Sequence, residues 1–108
     1  MRVLYRQSAS DDVVRQFRYY LVNLDLPDLA VRFKDSVRRT IQSLQKHPFV
    51  GSRYQTNSPK LQNLRSWPVV GFEAIRVYYL IDQDVLRIVR ILHGRRNIRH
   101  TLELEEIM

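Results

Sequence analysis

The chain of 108 residues contains no cysteine, only three glycines and only four prolines. Without cysteine, neither a disulfide framework nor a thiolate metal site can form. The scarcity of glycine and proline excludes collagen-like repeats. The longest uninterrupted apolar run, residues 77–81, is far shorter than the roughly 20 residues that a membrane-spanning helix needs. The N-terminus shows no signal-peptide pattern, so we expect a cytoplasmic protein with no membrane partner.

Positive charge, in contrast, is abundant. Eighteen lysines and arginines stand against eleven acidic residues, a formal net charge of +7, and fifteen of the eighteen are arginine. The planar guanidinium group binds carboxylates and phosphates through paired hydrogen bonds. In a single domain spanning residues 1–108, this excess indicates an acidic partner, either nucleic acid or an acidic protein segment, although a positive surface can also serve solubility alone.

Two helical patterns follow a short N-terminal strand, residues 3–7. The first helix is expected to begin at Ser8, a residue type that caps helix N-termini. The second is expected to begin around Pro27 and to end before His47-Pro48. Because only a few residues separate the two patterns, we predict an antiparallel helical hairpin. The apolar stripes are Ala9, Val13, Phe17, Tyr20, Leu21 and Leu24 on the first helix and Ala30, Phe33, Val37, Ile41 and Leu44 on the second.

The second half of the chain is dominated by strand patterns. We predict strands at residues 64–70, 72–81 and 85–92, preceded by a loop at 52–63 and followed by a helix at 98–106 that Asn97 caps. The fold class is therefore α+β: an N-terminal strand, an antiparallel two-helix hairpin, a three-stranded antiparallel meander in one small sheet, and a short C-terminal helix. The sequence does not decide which face of strand 85–92 points toward the core, because both of its faces are partly apolar.

One face of this sheet is expected to lack a helical cover. An exposed apolar patch on a small protein marks a partner site. The alternative is that the C-terminal helix or a second copy of the chain closes this face. The residues predicted for the partner surface are Trp67, Val69, Tyr78, Leu80, Val89 and Ile91.

The sequence offers few patterns for enzyme chemistry. It has no glycine-rich phosphate loop, no nucleophile elbow and no histidine spacing typical of a metal site, so we expect neither metal nor cofactor. A metal-free ribonuclease needs a base, a proton donor and cations, which Arg76, Tyr78, His93 and Arg95 could supply. The alternatives are that Arg76 pairs with Glu73 and that His93 makes a structural hydrogen bond.

Four short strings occur along the chain: Ser8-Ala9, Leu44-x-x-x-Pro48-x-x-Gly51, Arg76-Val77-Tyr78-Tyr79 and Ile88-x-Arg90-Ile91-Leu92-His93-Gly94-Arg95-Arg96. In this order and spacing they resemble the RelE/ParE superfamily of toxins from bacterial type II toxin–antitoxin pairs, and the last string resembles the ParE branch in particular. The resemblance covers nearly the whole chain.

The resemblance implies a toxin that a cognate antitoxin of the ParD or RelB type neutralises by direct binding, through the partner surface predicted above. A ParE-like toxin inhibits DNA gyrase, whereas a RelE-like toxin cleaves messenger RNA on the ribosome. The chain has no tyrosine after Gly94 and only three lysines, which departs from the RelE catalytic pattern and favours gyrase inhibition. The residues expected to contact the target are Arg76, Arg90, His93, Arg95 and Arg96.

Overall fold

The computed structural model describes residues 1–94 and 98–107 and confirms the α+β fold class. The helices are α1 (Gln7–Arg18), α2 (Pro27–Lys46) and α3 (Ile98–Ile107), and the strands are β1 (Arg2–Tyr5), β2 (Ser52–Arg53), β3 (Arg65–Val69), β4 (Phe72–Asp82) and β5 (Val85–His93). A π-helical turn, Tyr19–Asn23, follows α1, and a 3₁₀ turn, Pro59–Leu61, precedes β3. None of the helices in these ranges is long and apolar enough to cross a membrane.

The strands form one mixed sheet in the order β1-β5-β4-β3-β2. The predicted antiparallel meander is confirmed, because β3 pairs with β4 and β4 with β5. The N-terminal strand joins this meander by pairing parallel to β5. The two-residue strand β2, inside a segment expected to be loop, extends the opposite edge against β3.

A β-bulge in β5 explains why both faces of that strand are apolar. Tyr78 of β4 pairs with Arg90, whereas the next residue, Tyr79, pairs with Ile88, so Val89 is the extra residue. A bulge shifts the alternation of side chains by one residue. Leu86, Ile88 and Ile91 therefore face the helical pair, whereas Val89 and Leu92 lie on the opposite face.

The first helix differs from the predicted one at both ends. It begins at Gln7, after Arg6, and no side chain caps it. At its C-terminal end the π-helical turn shifts the register, so Tyr20 packs against the rings of Phe33 and Phe72. Leu21 and Leu24, expected in the core, are instead 37% and 43% exposed. A wider turn moves successive side chains off the stripe of a regular α-helix.

The expectation of an uncovered sheet face is wrong. The face turned away from α1 and α2, hereafter the far face, presents Tyr78, Val89 and Leu92, and all three are buried. Ile98 and Leu102 of α3 and Leu61 and Leu64 before β3 pack on this face. The closure by the C-terminal helix, considered above as the alternative, is what the structure shows. The predicted cap of this helix, Asn97, lies outside the described residues.

Candidate functional site

The predicted nuclease residue Arg76 lies on β4 and is half-buried. Its Nε and Nη2 atoms donate hydrogen bonds to Ser66 Oγ, at 3.2 and 3.0 Å, and Nη2 also approaches the Ser66 carbonyl oxygen at 3.4 Å. The alternative pairing with Glu73 is not the contact observed, since a Glu73 oxygen accepts a hydrogen bond from the Gly71 amide. Arg76 therefore ties β4 to β3 through a neutral hydroxyl and a carbonyl.

The second predicted residue, Tyr78, is inside the protein. Its side chain is 2% exposed, and its ring meets that of Tyr54 edge to face at 5.4 Å between centroids. Burial raises the pKa of the Tyr78 phenol, and Tyr54 raises it further, against a smaller lowering by Arg76. A buried phenol with a raised pKa stays protonated at neutral pH and is a poor general base.

The strand register places His93 and Arg76 on opposite faces of the sheet. His93 pairs with Ile75, and both line a groove beside α1, on the face that the helical pair covers. Arg76, the next residue along β4, pairs with Leu92, which belongs to the far face. Successive strand residues point to opposite sides of a sheet. Arg76 and Tyr78 therefore share the far face, His93 lies on the other face, and Arg95 lies outside the described residues.

Arg90, expected at the target surface, is instead held in an ion pair within the protein. Its Nε and Nη2 atoms donate to the two carboxylate oxygens of Asp12 at 2.8 and 2.7 Å. Asp12 is fully buried, and it also accepts hydrogen bonds from Arg15 and from the Ile91 amide. Gln16 donates to the Ile91 carbonyl at 2.9 Å. Two side chains of α1 therefore bind the backbone of β5 beyond the end of β1.

The predicted partner surface is divided between two interior layers. Val69, Tyr78, Val89 and Ile91 are each at most 2% exposed, so they are core residues of the folded chain. Trp67, Val69 and Ile91 pack beneath the helical pair, whereas Tyr78, Leu80 and Val89 lie on the far face. The prediction missed this division because the β5 bulge and the cover formed by α3 arise only in the tertiary structure. Arg96, like Arg95, lies outside the described residues.

One accessible apolar surface lies on the helices. A groove beside α1 and the π-helical turn, hereafter the α1 groove, has His93 and Ile75 along one side and Arg15 and Arg18 at its rim. Four apolar side chains that line it are exposed by 43–69%: Val14, Tyr19, Val22 and Leu24. The sequence carried a signal for this surface. Four consecutive apolar residues at 19–22 cannot all fit one stripe of a helix.

A second groove lies between α1 and α2. Tyr5 of β1 and Val31 of α2 line it and are 43% and 62% exposed. Lys34, Asp35 and Arg38 also line it, and Arg38 pairs with Asp35.

Residues 3–98 match the family model described as the ParE toxin of the type II toxin–antitoxin system parDE. No curated protein matches the chain. Among solved structures, the fold is similar to a chain from the chromosomal ParDE toxin–antitoxin system of P. aeruginosa, with 18% sequence identity and a TM-score of 0.66 over 86% of this chain and 95% of that one. The family match spans most of the chain, and the chain therefore belongs to the ParE toxin family of type II toxin–antitoxin systems.

Proposed function

We propose that this toxin inhibits DNA gyrase by binding to it, and that a cognate antitoxin neutralises the toxin by covering the α1 groove. The observation that supports binding over RNA cleavage is the separation of Arg76 and His93 onto opposite faces of the sheet. Metal-free cleavage requires a base, an acid and cations around one phosphate. Inhibition by binding requires only a complementary surface.

A parallel assay of the purified toxin distinguishes the two activities. The proposal expects that the toxin inhibits supercoiling of relaxed plasmid by gyrase and leaves messenger RNA on translating ribosomes intact. The Arg76→Ala variant provides the control. If the toxin is a nuclease, this substitution removes a cation from the reacting phosphate and lowers cleavage by about 100-fold or more. RNA cleavage with gyrase unaffected would overturn the proposal in favour of the RelE-like alternative.

The antitoxin part of the proposal rests on the chemistry of the α1 groove. Its apolar residues are already exposed, and it is lined by Asp11, by Arg15, which pairs with Asp12, and by Arg18, on a chain of net charge +7. A flexible acidic segment can fold into such a groove, burying its apolar side chains while its carboxylates approach the arginines.

The probe for this interaction is the protein encoded beside the toxin gene. We expect Val22→Asp, which places a charge at a side chain 69% exposed in the groove, to weaken binding of that protein by at least about 10-fold. The matched control is Val70→Asp, an exposed position at the turn between β3 and β4. Equal affinities for the two variants would place the antitoxin elsewhere on the surface.

A further inference from the structure

The turn that follows α2 exposes two apolar side chains at its tip. Residues 47–51, hereafter the Phe49 turn, reverse direction with a hydrogen bond from the Val50 amide to the His47 carbonyl at 3.2 Å. Phe49 is 69% exposed and Val50 is 45% exposed. Pro48 fits the second position of such a turn because its ring fixes the backbone angle φ there.

A buried tyrosine holds this turn in place. The Tyr79 hydroxyl donates a hydrogen bond to the Pro48 carbonyl at 2.7 Å and accepts one from the Gly51 amide at 3.0 Å. A Cβ atom at Gly51 would lie 2.3 Å from that hydroxyl, so only glycine fits this position without a shift. Two strings noted in the sequence, Leu44-x-x-x-Pro48-x-x-Gly51 and Arg76-Val77-Tyr78-Tyr79, therefore meet at one contact.

Arg65 supports the turn from its other side. Its Nη1 atom donates to the carbonyl oxygens of Phe49 and Gly51 at 3.2 and 2.7 Å, and its guanidinium carbon lies 5.3 Å from the centroid of the Phe49 ring. These partners are neutral, so they leave the positive charge uncancelled. Arg53, which pairs with Arg65 across β2 and β3, likewise donates to a neutral oxygen, that of Asn63.

We propose that the Phe49 turn is the contact by which the toxin engages its macromolecular target, inserting Phe49 into an apolar pocket bordered by carboxylates on a protein surface. A rigid, exposed aromatic side chain loses little conformational entropy on binding, which is typical of interface hot spots. Arg65, which contacts the ring, and Arg53, which pairs with Arg65, complement acidic groups, as does Lys46 at the end of α2.

This surface is distinct from the α1 groove. The π-helical turn that lines the groove precedes α2 and the Phe49 turn follows it, so the 20 residues of α2 separate the two by roughly 30 Å. A large target can contact both ends of α2 at once, and an antitoxin in the groove can therefore still exclude it. The inference rests on the proposed function, under which the target is gyrase.

The test compares Phe49→Ala with Val70→Ala, which truncates another exposed apolar side chain away from the turn. We expect Phe49→Ala to raise the toxin concentration that half-inhibits gyrase supercoiling by at least about 30-fold, the size of an aromatic hot spot. Val70→Ala should change it by less than about 3-fold. Both variants should keep the thermal midpoint of the parent and its affinity for the antitoxin.

Tyr79→Phe tests the positioning role of the hydroxyl. It should weaken gyrase inhibition in the parent, because Pro48 and Gly51 lose their shared partner, yet add no further loss when Phe49 is already alanine. A hydroxyl that only stabilised the fold would weaken both backgrounds equally, which would overturn this part of the inference.

The remaining outcomes separate this inference from the function on which it rests. If the parent toxin does not inhibit gyrase, the proposed function fails and this inference fails with it. If the parent inhibits gyrase and Phe49→Ala inhibits it equally well, only the role of the turn is overturned. Loss of antitoxin affinity in Phe49→Ala would assign the turn to the antitoxin, and loss of affinity for bare plasmid DNA would assign it to nucleic acid; either result would also overturn the inference.

Discussion

The two faces of the sheet are covered in different ways. On one face, α1 and the 20-residue helix α2 cover the strands, and the rings of Tyr20, Phe33 and Phe72 lie within 6 Å of one another between centroids. On the far face, Ile98 and Leu102 of the shorter helix α3 pack together with the segment before β3. The first cover is a continuous layer, whereas the second is assembled from separate short pieces.

Buried polar groups follow the same division. Beneath the helical pair, the Asp12 carboxylate accepts four hydrogen bonds from three residues, and the Thr40 hydroxyl donates to the Ser36 carbonyl and accepts from the Val70 amide. On the far side, Ser66 Oγ accepts hydrogen bonds from Arg76, but among the described residues there Ser58 Oγ and Glu103 Oε1 are buried without a hydrogen-bond partner. An unpaired buried polar atom costs folding free energy. The comparison indicates that the helical pair dominates stability and that the far cover is weaker.

The largest loss of stability is expected on substitution of Asp12. Asp12→Ala leaves Arg90 without its buried partner and the Ile91 amide without its acceptor, so we expect a loss of about 3–5 kcal/mol in the free energy of unfolding. Urea denaturation measures it. The control is Asp35→Ala, which removes partly exposed pairs with Arg38 and Arg39 and should cost less than about 1 kcal/mol. Similar losses for the two variants would refute the importance of the buried pair.

Two leucines compare the covers directly. Leu44 of α2 and Leu102 of α3 are both fully buried, one on each side of the sheet. Truncating a buried leucine to alanine costs about 2–5 kcal/mol, depending on how well the site can collapse. We expect Leu44→Ala near the top of that range and Leu102→Ala near the bottom, because a short helix can shift to fill its cavity. Equal losses in urea denaturation would contradict the difference between the covers.

Smaller changes in the free energy of unfolding are expected when two buried hydroxyls, one on each side of the sheet, are removed, and the two changes should have opposite signs. Thr40→Val leaves the Val70 amide without its acceptor and should lower the free energy of unfolding by about 1–3 kcal/mol. Ser58→Ala removes an unpartnered oxygen and should leave stability unchanged or raise it by up to about 1 kcal/mol. Thermal unfolding of both variants measures the difference, and a clear loss at Ser58→Ala would show that its hydroxyl is satisfied in solution.

The smallest expected change in stability concerns Tyr78 and appears only at high pH. Burial raises the pKa of Tyr78 above the ordinary value of 10.0. As the pH rises past that value, the unfolded chain loses the proton while the folded chain retains it, so stability should fall with rising pH. Tyr78→Phe should reduce this fall above about pH 10 and change little at pH 7. Tyr19→Phe, at a ring 46% exposed, is the control; an identical pH profile for both variants would contradict the prediction.

The elements of the fold were predictable because local patterns specify them. The alternation of side chains along a strand puts Ile75, Val77 and Tyr79 on one face of β4, and all three lie beneath the helical pair. The π-helical turn was not predicted, since the apolar stripe of α1 continues into it. The parallel pairing of β1 with β5 was not predicted either, because it joins segments about 80 residues apart in the chain.

The site could be predicted far less well. Arg76 and Arg90 were expected to face a target, but Arg76 bonds to Ser66 and Arg90 pairs with Asp12, 78 positions away in the chain. Whether a strand arginine faces solvent depends on which acceptor the fold brings near it, and single-strand periodicity carries no such information. The four strings that resemble the family were more informative, because resemblance to a family implies its fold without requiring that the tertiary contacts be derived.

By itself, the sequence determined the class of the fold, the order of its main elements and membership of the toxin family. These depend on local periodicity, turn residues and short strings. The tertiary structure alone decided which surface is available to a partner. Closure of the far face by α3 and the pairing of Arg90 with Asp12 both depend on contacts between segments distant in the chain. They leave the α1 groove and the Phe49 turn, rather than the sheet face, as exposed apolar surfaces.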